Sequence, residues 1–401
     1  MKFKKIIIFA NSFDNRSWTK NTLSGGDEIL INYIKFLEKK GIEIEIYTWK
    51  KGIKILTDNK ININLIKAYN SYYFDKLGFG IFFLYRLIRI FFISLSVKKN
   101  LDKDNQTIIF SYSDFLTDVL PAFILSFKNN IKMINALYLL APNPFEKNNP
   151  YKNFNKIHGI IFWILQRISI YFILKKSCGV VVCSELVIEY LKNENIKTNN
   201  FLIIHGGLDL TDLRDSMKKF GDNNKIYDGC FFGRLHPQKG PLEMIEIWKK
   251  VINYKPNAKL AIIGNGTEEK KIRDLIFKYK MDRNVELKGY LFGENKNKVL
   301  LSSKIMVHPA IYDTGGMAVC QGMSYAIPAV SFDLEGLKYT YPKGMIKINC
   351  FNTDEFANKI IHLLNNKEEY EKYSKEALDL ANSWGWENRG GEFYNFINKI
   401  I

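Results

Sequence analysis

Short runs of β-branched and aliphatic residues alternate along almost the whole chain with segments whose apolar positions recur every three or four residues. A strand that is apolar on both faces needs cover on both sides, and helices that return the chain over the sheet provide it. The rhythm therefore predicts parallel sheets with crossover helices. The first repeat shows it clearly: the strand KKIIIFA precedes SGGDEILINYIKFLEKKG, where Leu30, Tyr33, Ile34 and Leu37 fall at i, i+3, i+4 and i+7. Ser24 and Asp27 have capping-box spacing, and Gly41 closes the helix before the strand IEIEIYT.

Further strands are expected at NQTIIFSYS, IKMINALYL, GVVVCS and NFLIIHG. A second series starts at YDGCFFG, continues through the helix PLEMIEIWKKVINY, and repeats at AKLAIIGNG, NVELKG, KIMVHP and IPAVSF. The polar stretch TDLRDSMKKFGDNNK (Thr211 to Lys225) separates the two series. At 401 residues the chain exceeds what one hydrophobic core usually fills. Two domains are expected, residues 1–208 and 209–384.

Composition excludes disorder and fibres, with 47% hydrophobic and 25% charged residues. The formal charge of +17 favours a polyanionic partner (nucleic acid, phosphate-rich ligand or anionic membrane), unless it is only a solvated Lys-rich surface. No nucleic-acid recognition motif accompanies it, so nucleic acid is not expected as a partner. The cysteines, five and widely spaced, read as free core thiols in a reducing compartment. The start MKFKKIIIFANS reads as a first strand rather than a signal peptide.

Two segments approach bilayer-spanning length, Leu77 to Lys99 and Ile157 to Lys176. Arg86 and Arg89 interrupt the first, Gln166 and Arg167 the second, and mid-membrane arginine is costly. Either both are buried crossover helices, or one turns an aromatic face with flanking basic residues to a membrane interface.

In open parallel sheets, ligands bind at the carboxyl ends of strands, so the informative residues should follow strands. Gly25 and Gly26 open the first helix, where amides could meet an anion. In FFGRLHPQKG, Gly233, Arg234 and Lys239 follow a strand and Pro241 starts the next helix. Two cations there suit a diphosphate, or simply a basic surface loop. Gly264 and Gly266 form a lone G-x-G at a strand end. In HPAIYDTGGMAVCQGMSYAIPAV, a loop of Asp313, Thr314, Gly315, Gly316 and Met317 enters a helix. Gln321 lies roughly two turns beyond Asp313.

These motifs together, in this order and spacing, resemble the family 4 glycosyltransferases over nearly the whole chain. The resemblance implies the GT-B fold: two Rossmann-like domains facing each other across a cleft, with a C-terminal helix (385–401) crossing back to the first. It further implies that Arg234 and Lys239 hold the donor diphosphate, that Gly25 and Gly26 approach it from the other domain, and that the loop after KGY (Tyr290, Leu291) receives the nucleobase. The family's Glu-x7-Glu pair is here Asp313 and Gln321. The shorter carboxylate and the amide weaken or alter contacts to donor sugar and ribose by about one hydrogen bond, ~1 kcal/mol.

Retention of anomeric configuration then rests on stabilising the leaving diphosphate, with Arg234, Lys239 and Asp313 as catalytic residues. The histidine that relatives carry in the first domain is missing, and Asn135 or Tyr138 stands nearby. The five histidines have no metal-ligand spacing, and His205 is expected to line the site. Asp102 and Asp104 precede a strand and read as a solvated turn, so no metal is implied. The expected activity is transfer of a sugar from a nucleotide-diphosphate donor to a glycan or lipid-linked acceptor, as in polysaccharide or glycolipid synthesis. The protein would then be cytoplasmic, with possible peripheral contact at the inner membrane face. The alternative is a catalytically degenerate nucleotide-sugar-binding partner.

Overall fold

The computed structural model describes residues 3–14, 24–69, 85, 88, 91, 106–146, 156–220, 225–313 and 315–401. The chain forms two compact units, the first comprising residues up to Ile204 with Glu387–Ile401, the second His205–Trp386. The polar stretch read as a separator is instead mostly a helix, Leu210–Phe220, belonging to the second unit. Its Leu213 packs into that unit's core, so a segment polar on three sides still buries its fourth.

In the first unit the strands are β1 (Lys5–Phe9), β2 (Glu43–Trp49), β3 (Ile66–Tyr69), β4 (Thr107–Ser111), β5 (Lys132–Leu137), β6 (Ser177–Val182) and β7 (Phe201–Ile203). They form one seven-stranded sheet in the order β3-β2-β1-β4-β5-β6-β7, with every pairing parallel. In the second unit β8 (Tyr227–Phe232), β9 (Leu260–Ile263), β10 (Val285–Gly289), β11 (Ser303–His308), β12 (Ala329–Phe332) and β13 (Met345–Ile348) form a parallel six-stranded sheet, β10-β9-β8-β11-β12-β13. Strand order reverses at β1/β4 and at β8/β11, the positions where doubly wound sheets open a crevice for ligands.

The alternation of strand side chains builds two cores per sheet. In the second unit Leu260, Ile262, Ile305, Val307, Val330 and Phe332 enter one cluster, while Ala261, Ile263, Met306 and Ala329 enter the other. Trp248 of the helix Pro241–Tyr254 is fully buried against Gly229 of β8, where any Cβ would come within 2.6 Å of its ring. That seat fixes the helix whose start carries the cationic loop. In the first unit the helix Trp386–Ile400 stacks Phe393 on Tyr33 at 4.0 Å, and Gly390 leaves room for Phe36.

The helix Lys156–Lys176 shows why its apolar run carries polar residues. Gln166 is buried, donates 2.7 Å to Asp114 and 2.8 Å to the Leu139 carbonyl, and accepts 2.7 Å from the Ala141 amide. Arg167 lies over the rings of Trp163 and Tyr190. Among the described residues no helix is long and apolar enough to cross a membrane. Of Leu77 to Lys99, only Tyr85, Ile88 and Phe91 are described, all helical. Asp102 and Asp104 lie outside the described residues. The expectation of core thiols holds for Cys183, Cys230 and Cys320. Cys178 is half-buried and Cys350 exposed, because each stands at the margin of its apolar run.

Gly240 has φ +62°, and a Cβ there would lie 1.8 Å from the Pro309 carbonyl oxygen. Gly240→Ala should therefore destabilise the second unit by about 2–4 kcal/mol. Gly41→Ala, also at positive φ (+71°) but with nothing within 4 Å, should cost only about 1 kcal/mol. Urea unfolding of the two variants checks the difference.

Candidate functional site

Two loops leave the carboxyl ends of β8 and β11 side by side. The first, residues 233–240, makes a single turn, Pro237–Lys239, capped by His236, whose Nδ1 accepts from the Gln238 amide at 3.3 Å. The second, residues 309–316, is hung on it. The amides of Ile311 and Tyr312 donate 2.9 and 3.2 Å to the Gln238 carbonyl, and Pro309 packs its carbonyl against Gly240. Backbone contacts thus set the separation of the loops before any side chain acts.

Across the junction Lys239 Nζ meets Asp313 Oδ2 at 2.5 Å, and His308 Nε2 stands 3.2 Å from the same oxygen. Asp313 Oδ1 faces the amides of Gly315 and Gly316 at 3.4 and 3.3 Å. Burial pushes this carboxyl up, but the Lys239 ammonium and His308 outweigh it and hold it well below the usual carboxylate range. Burial keeps His308 below its ordinary range despite the acid, and Lys239 adds to the lowering. His236 is pushed down to about 4 by burial, then by Arg234 and Lys239. Both imidazoles are therefore neutral at pH 7, and the net charge of the junction comes from Lys239, Asp313 and Arg234. Arg234 is exposed and, among the described residues, has no carboxylate within ion-pair distance. A cation held free at a topological switch point is placed to receive an anion.

The other expected residues divide by what occupies their polar groups. Gly264, at φ +140°, packs against the Gly233 carbonyl, where a Cβ would come within 1.8 Å. Its amide donates to Gly289, and that of Gly233 donates to Ile263. These glycines lock the loops after β8, β9 and β10 together. Gly316 begins the helix Met317–Met323, and the Tyr341 hydroxyl donates to the carbonyls of Gly315 and Gly316 at 3.0 and 2.7 Å. Gln321 accepts from Lys296 at 2.7 Å. Tyr290 is exposed and pairs with Phe292 at 6.3 Å, while Leu291 packs on the core. Met317 packs on Gly206. Thr314 lies outside the described residues.

Gly25 and Gly26 belong to the first unit, at the start of the helix Gly25–Lys39, with the Ser24–Asp27 capping box formed. Gly26 lies against the Tyr138 ring. His205 bonds Thr340 at 3.2 Å and stacks on Trp384.

The sequence reading missed His308, Gln238, Tyr341 and Lys296. Only His308 carried a local signal, as the last residue of an apolar strand five positions before Asp313. It also missed a buried acidic network at the carboxyl ends of β1 and β4. There Asp118 accepts from the Asn11 amide at 2.5 Å, from Ser12 at 2.8 Å and from Ser113 at 2.5 Å. Ser12 in turn reaches Tyr112, which donates to Asp27 at 3.0 Å. Burial pushes Asp118 up to about 7 and Asp114 to about 6. Among the described residues no group of three or more His, Cys, Asp or Glu stands close enough to hold a metal ion.

Two doubly wound parallel-sheet units of this kind match glycosyltransferase structures of the GT-B fold. The structure of TarM from S. aureus with fondaparinux, alpha-GlcNAc-glycerol and UDP aligns with TM-score 0.72 at 15% identity, covering 99% of this chain and 100% of that one. Anabaena HepE with UDP and glucose aligns with TM-score 0.71 at 13% identity, with the same coverage. Residues 212–379 match the family model of Glycosyl transferases group 1, and this part of the chain carries a domain of that family. Poly(ribitol-phosphate) alpha-N-acetylglucosaminyltransferase of Staphylococcus aureus is 27% identical over 256 residues, 58% of this chain and 45% of that protein. Poly(glycerol-phosphate) alpha-glucosyltransferase of Bacillus subtilis is 24% identical over 178 residues, 44% of this chain and 26% of that protein. The matches thus span less than half the length of either curated relative.

Because Lys239 and Asp313 are mutually compensating and largely buried, Lys239→Ala and Asp313→Asn should each destabilise, while the double variant costs less than their sum. A coupling of about 1–3 kcal/mol in a double-mutant cycle is expected. His236 has a folded pKa below its unfolded one, so the unfolded state takes up the proton first and stability falls as pH drops from about 6.5 toward 4. By pH 5 this amounts to up to about 2 kcal/mol, and urea titrations of His236→Gln should show a correspondingly shallower acid slope.

Proposed function

We propose that this protein is a retaining glycosyltransferase that takes a hexose-type sugar from a nucleotide-diphosphate donor and passes it to a glycan or lipid-linked acceptor in surface polysaccharide or glycolipid synthesis. The observation that carries the reading is the exposed Arg234 beside Lys239 on a loop clamped at the β8/β11 switch point. The group 1 domain match and the relatives that transfer sugars to poly(ribitol-phosphate) and poly(glycerol-phosphate) support it.

On this reading the diphosphate takes Arg234 as its first partner and draws Lys239 from Asp313. Asp313, with Gly315, Gly316 and Met317 behind it, turns toward the donor sugar. Negative charge grows on the diphosphate as the glycosidic bond breaks, and two cations fixed before the reaction lower that barrier without reorganising. A divalent ion is not required for that role. Gln321 serves the ribose, and Tyr290 and Leu291 the base. The Gln321 oxygen already accepts from Lys296, and its second lone pair can still accept from a ribose hydroxyl.

Thermal-shift titration with UDP, GDP, ADP and dTDP tests the reading. One of them should stabilise the protein by mass action, and Arg234→Ala should reduce the shift at least about tenfold in apparent affinity, one to two charge-assisted hydrogen bonds' worth. A variant with the full wild-type response would move the diphosphate elsewhere.

A further inference from the structure

The helix Lys156–Lys176 is apolar on opposite faces, and the fold uses one of them. Gln166, Ser169, Ile170 and Ile173 are buried in the first unit. Ile161, Phe162, Ile164, Ile168 and Tyr171 are between 37% and 54% exposed. Positions 161, 164, 168 and 171 follow one another at three- and four-residue steps, so they form a single stripe about 15 Å long. A helix apolar all round is normally covered on every side. Here the residues of the second side are exposed.

The stripe continues onto the helix Leu116–Asn129, which runs alongside: Phe115 meets Phe162 at 5.5 Å and Phe123 meets Phe172 at 4.7 Å. At the end of that helix Phe127 is 70% exposed and is followed by exposed Lys128. Phe145, 73% exposed, stands edge-on to Trp163 at the other end.

Charge selects the occupant. Residues 156–176 contain no Asp or Glu, and Asp118, the one acid of Leu116–Asn129, is fully buried. The exposed ammonium groups of Lys128 and Lys175 stand at the carboxyl ends of the two helices, with half-buried Lys176 next to them. Two copies of this face brought together would oppose lysine to lysine, with no exposed carboxylate on either helix to answer. An anionic bilayer answers both needs, because the acyl boundary takes Ile and Phe while headgroup phosphates meet the lysines.

We propose that the face formed by Ile161, Ile164, Ile168, Tyr171 and Phe127, rimmed by Lys128 and Lys175, docks on an anionic lipid surface, lying in the interface rather than crossing it. The docking face belongs to the first unit and does not depend on the nucleotide reading of the second.

Flotation of the full chain with phosphatidylcholine vesicles, with and without phosphatidylglycerol, tests it. The wild type should float with the anionic vesicles and far less with the neutral ones. Ile164→Ser/Ile168→Ser should reduce partitioning at least about tenfold. Lys175→Glu/Lys176→Glu should abolish the preference for phosphatidylglycerol while keeping a residual affinity for both vesicles. Circular dichroism and cooperative melting show that the variants fold, and nucleotide thermal shift reads the other site separately. The proposal is overturned if the wild type stays in the soluble fraction, or if the double-serine variant floats like the wild type. It is equally overturned if light scattering shows a wild-type dimer that the serines dissociate, which would assign the face to a second copy.

Discussion

The site of the second unit depends on a close approach of two backbones. Gly240 must lack a Cβ because the Pro309 carbonyl occupies its place, and the Gln238 carbonyl gathers the amides of Ile311 and Tyr312. Once these contacts form, Lys239 and Asp313 cannot avoid each other. The ion pair is then a consequence of loop geometry rather than its cause. Its energetics fit that role, because a buried pair gains little net stability from its own attraction but is expensive to break on one side. The Tyr341 hydroxyl performs the same service on the far side of the loop, holding two successive carbonyls of the glycine pair.

Among the described residues, the charges at this junction are unevenly matched. Lys239 is compensated, the two nearby imidazoles are neutral for want of solvent, and Arg234 stands outside the compensation. On the proposed reading an arriving diphosphate meets the Arg234 guanidinium first and a lysine that must exchange partners second. The order separates capture from the rearrangement of the Asp313 loop.

Much of the architecture was legible in the sequence because parallel strands buried on both faces leave uninterrupted apolar runs, and the strand-end loops follow from them. Two strands escaped notice, β3 (Ile66–Tyr69) and β13 (Met345–Ile348). Both are four-residue edge strands, and a lysine in each (IKAY and MIKI) breaks what would otherwise be a short apolar run. The cationic pair and the Asp313 loop were also legible, since charged residues directly after apolar strands point to the carboxyl end of the sheet. What decides their state was not. Tyr341 and Lys296 reach the loops from separate elements, and no spacing along the chain encodes that meeting. The G-x-G at Gly264 was read only as a motif at a strand end, whereas its packing against Gly233 depends on the missing side chain.

The two sheets wind in the same sense, β3-β2-β1-β4-β5-β6 matching β10-β9-β8-β11-β12-β13, with β7 as an addition. Corresponding strand ends can therefore be compared directly. Past β11 the second sheet carries Asp313, paired with Lys239, and past the matching β4 the first carries Asp114 and Asp118, enclosed by hydroxyls and amides and pushed up by burial to about 6 and about 7. A single winding plan thus sets a carboxylate at the same strand end in both halves, held ionised by a cation in one and met by hydroxyl and amide donors in the other.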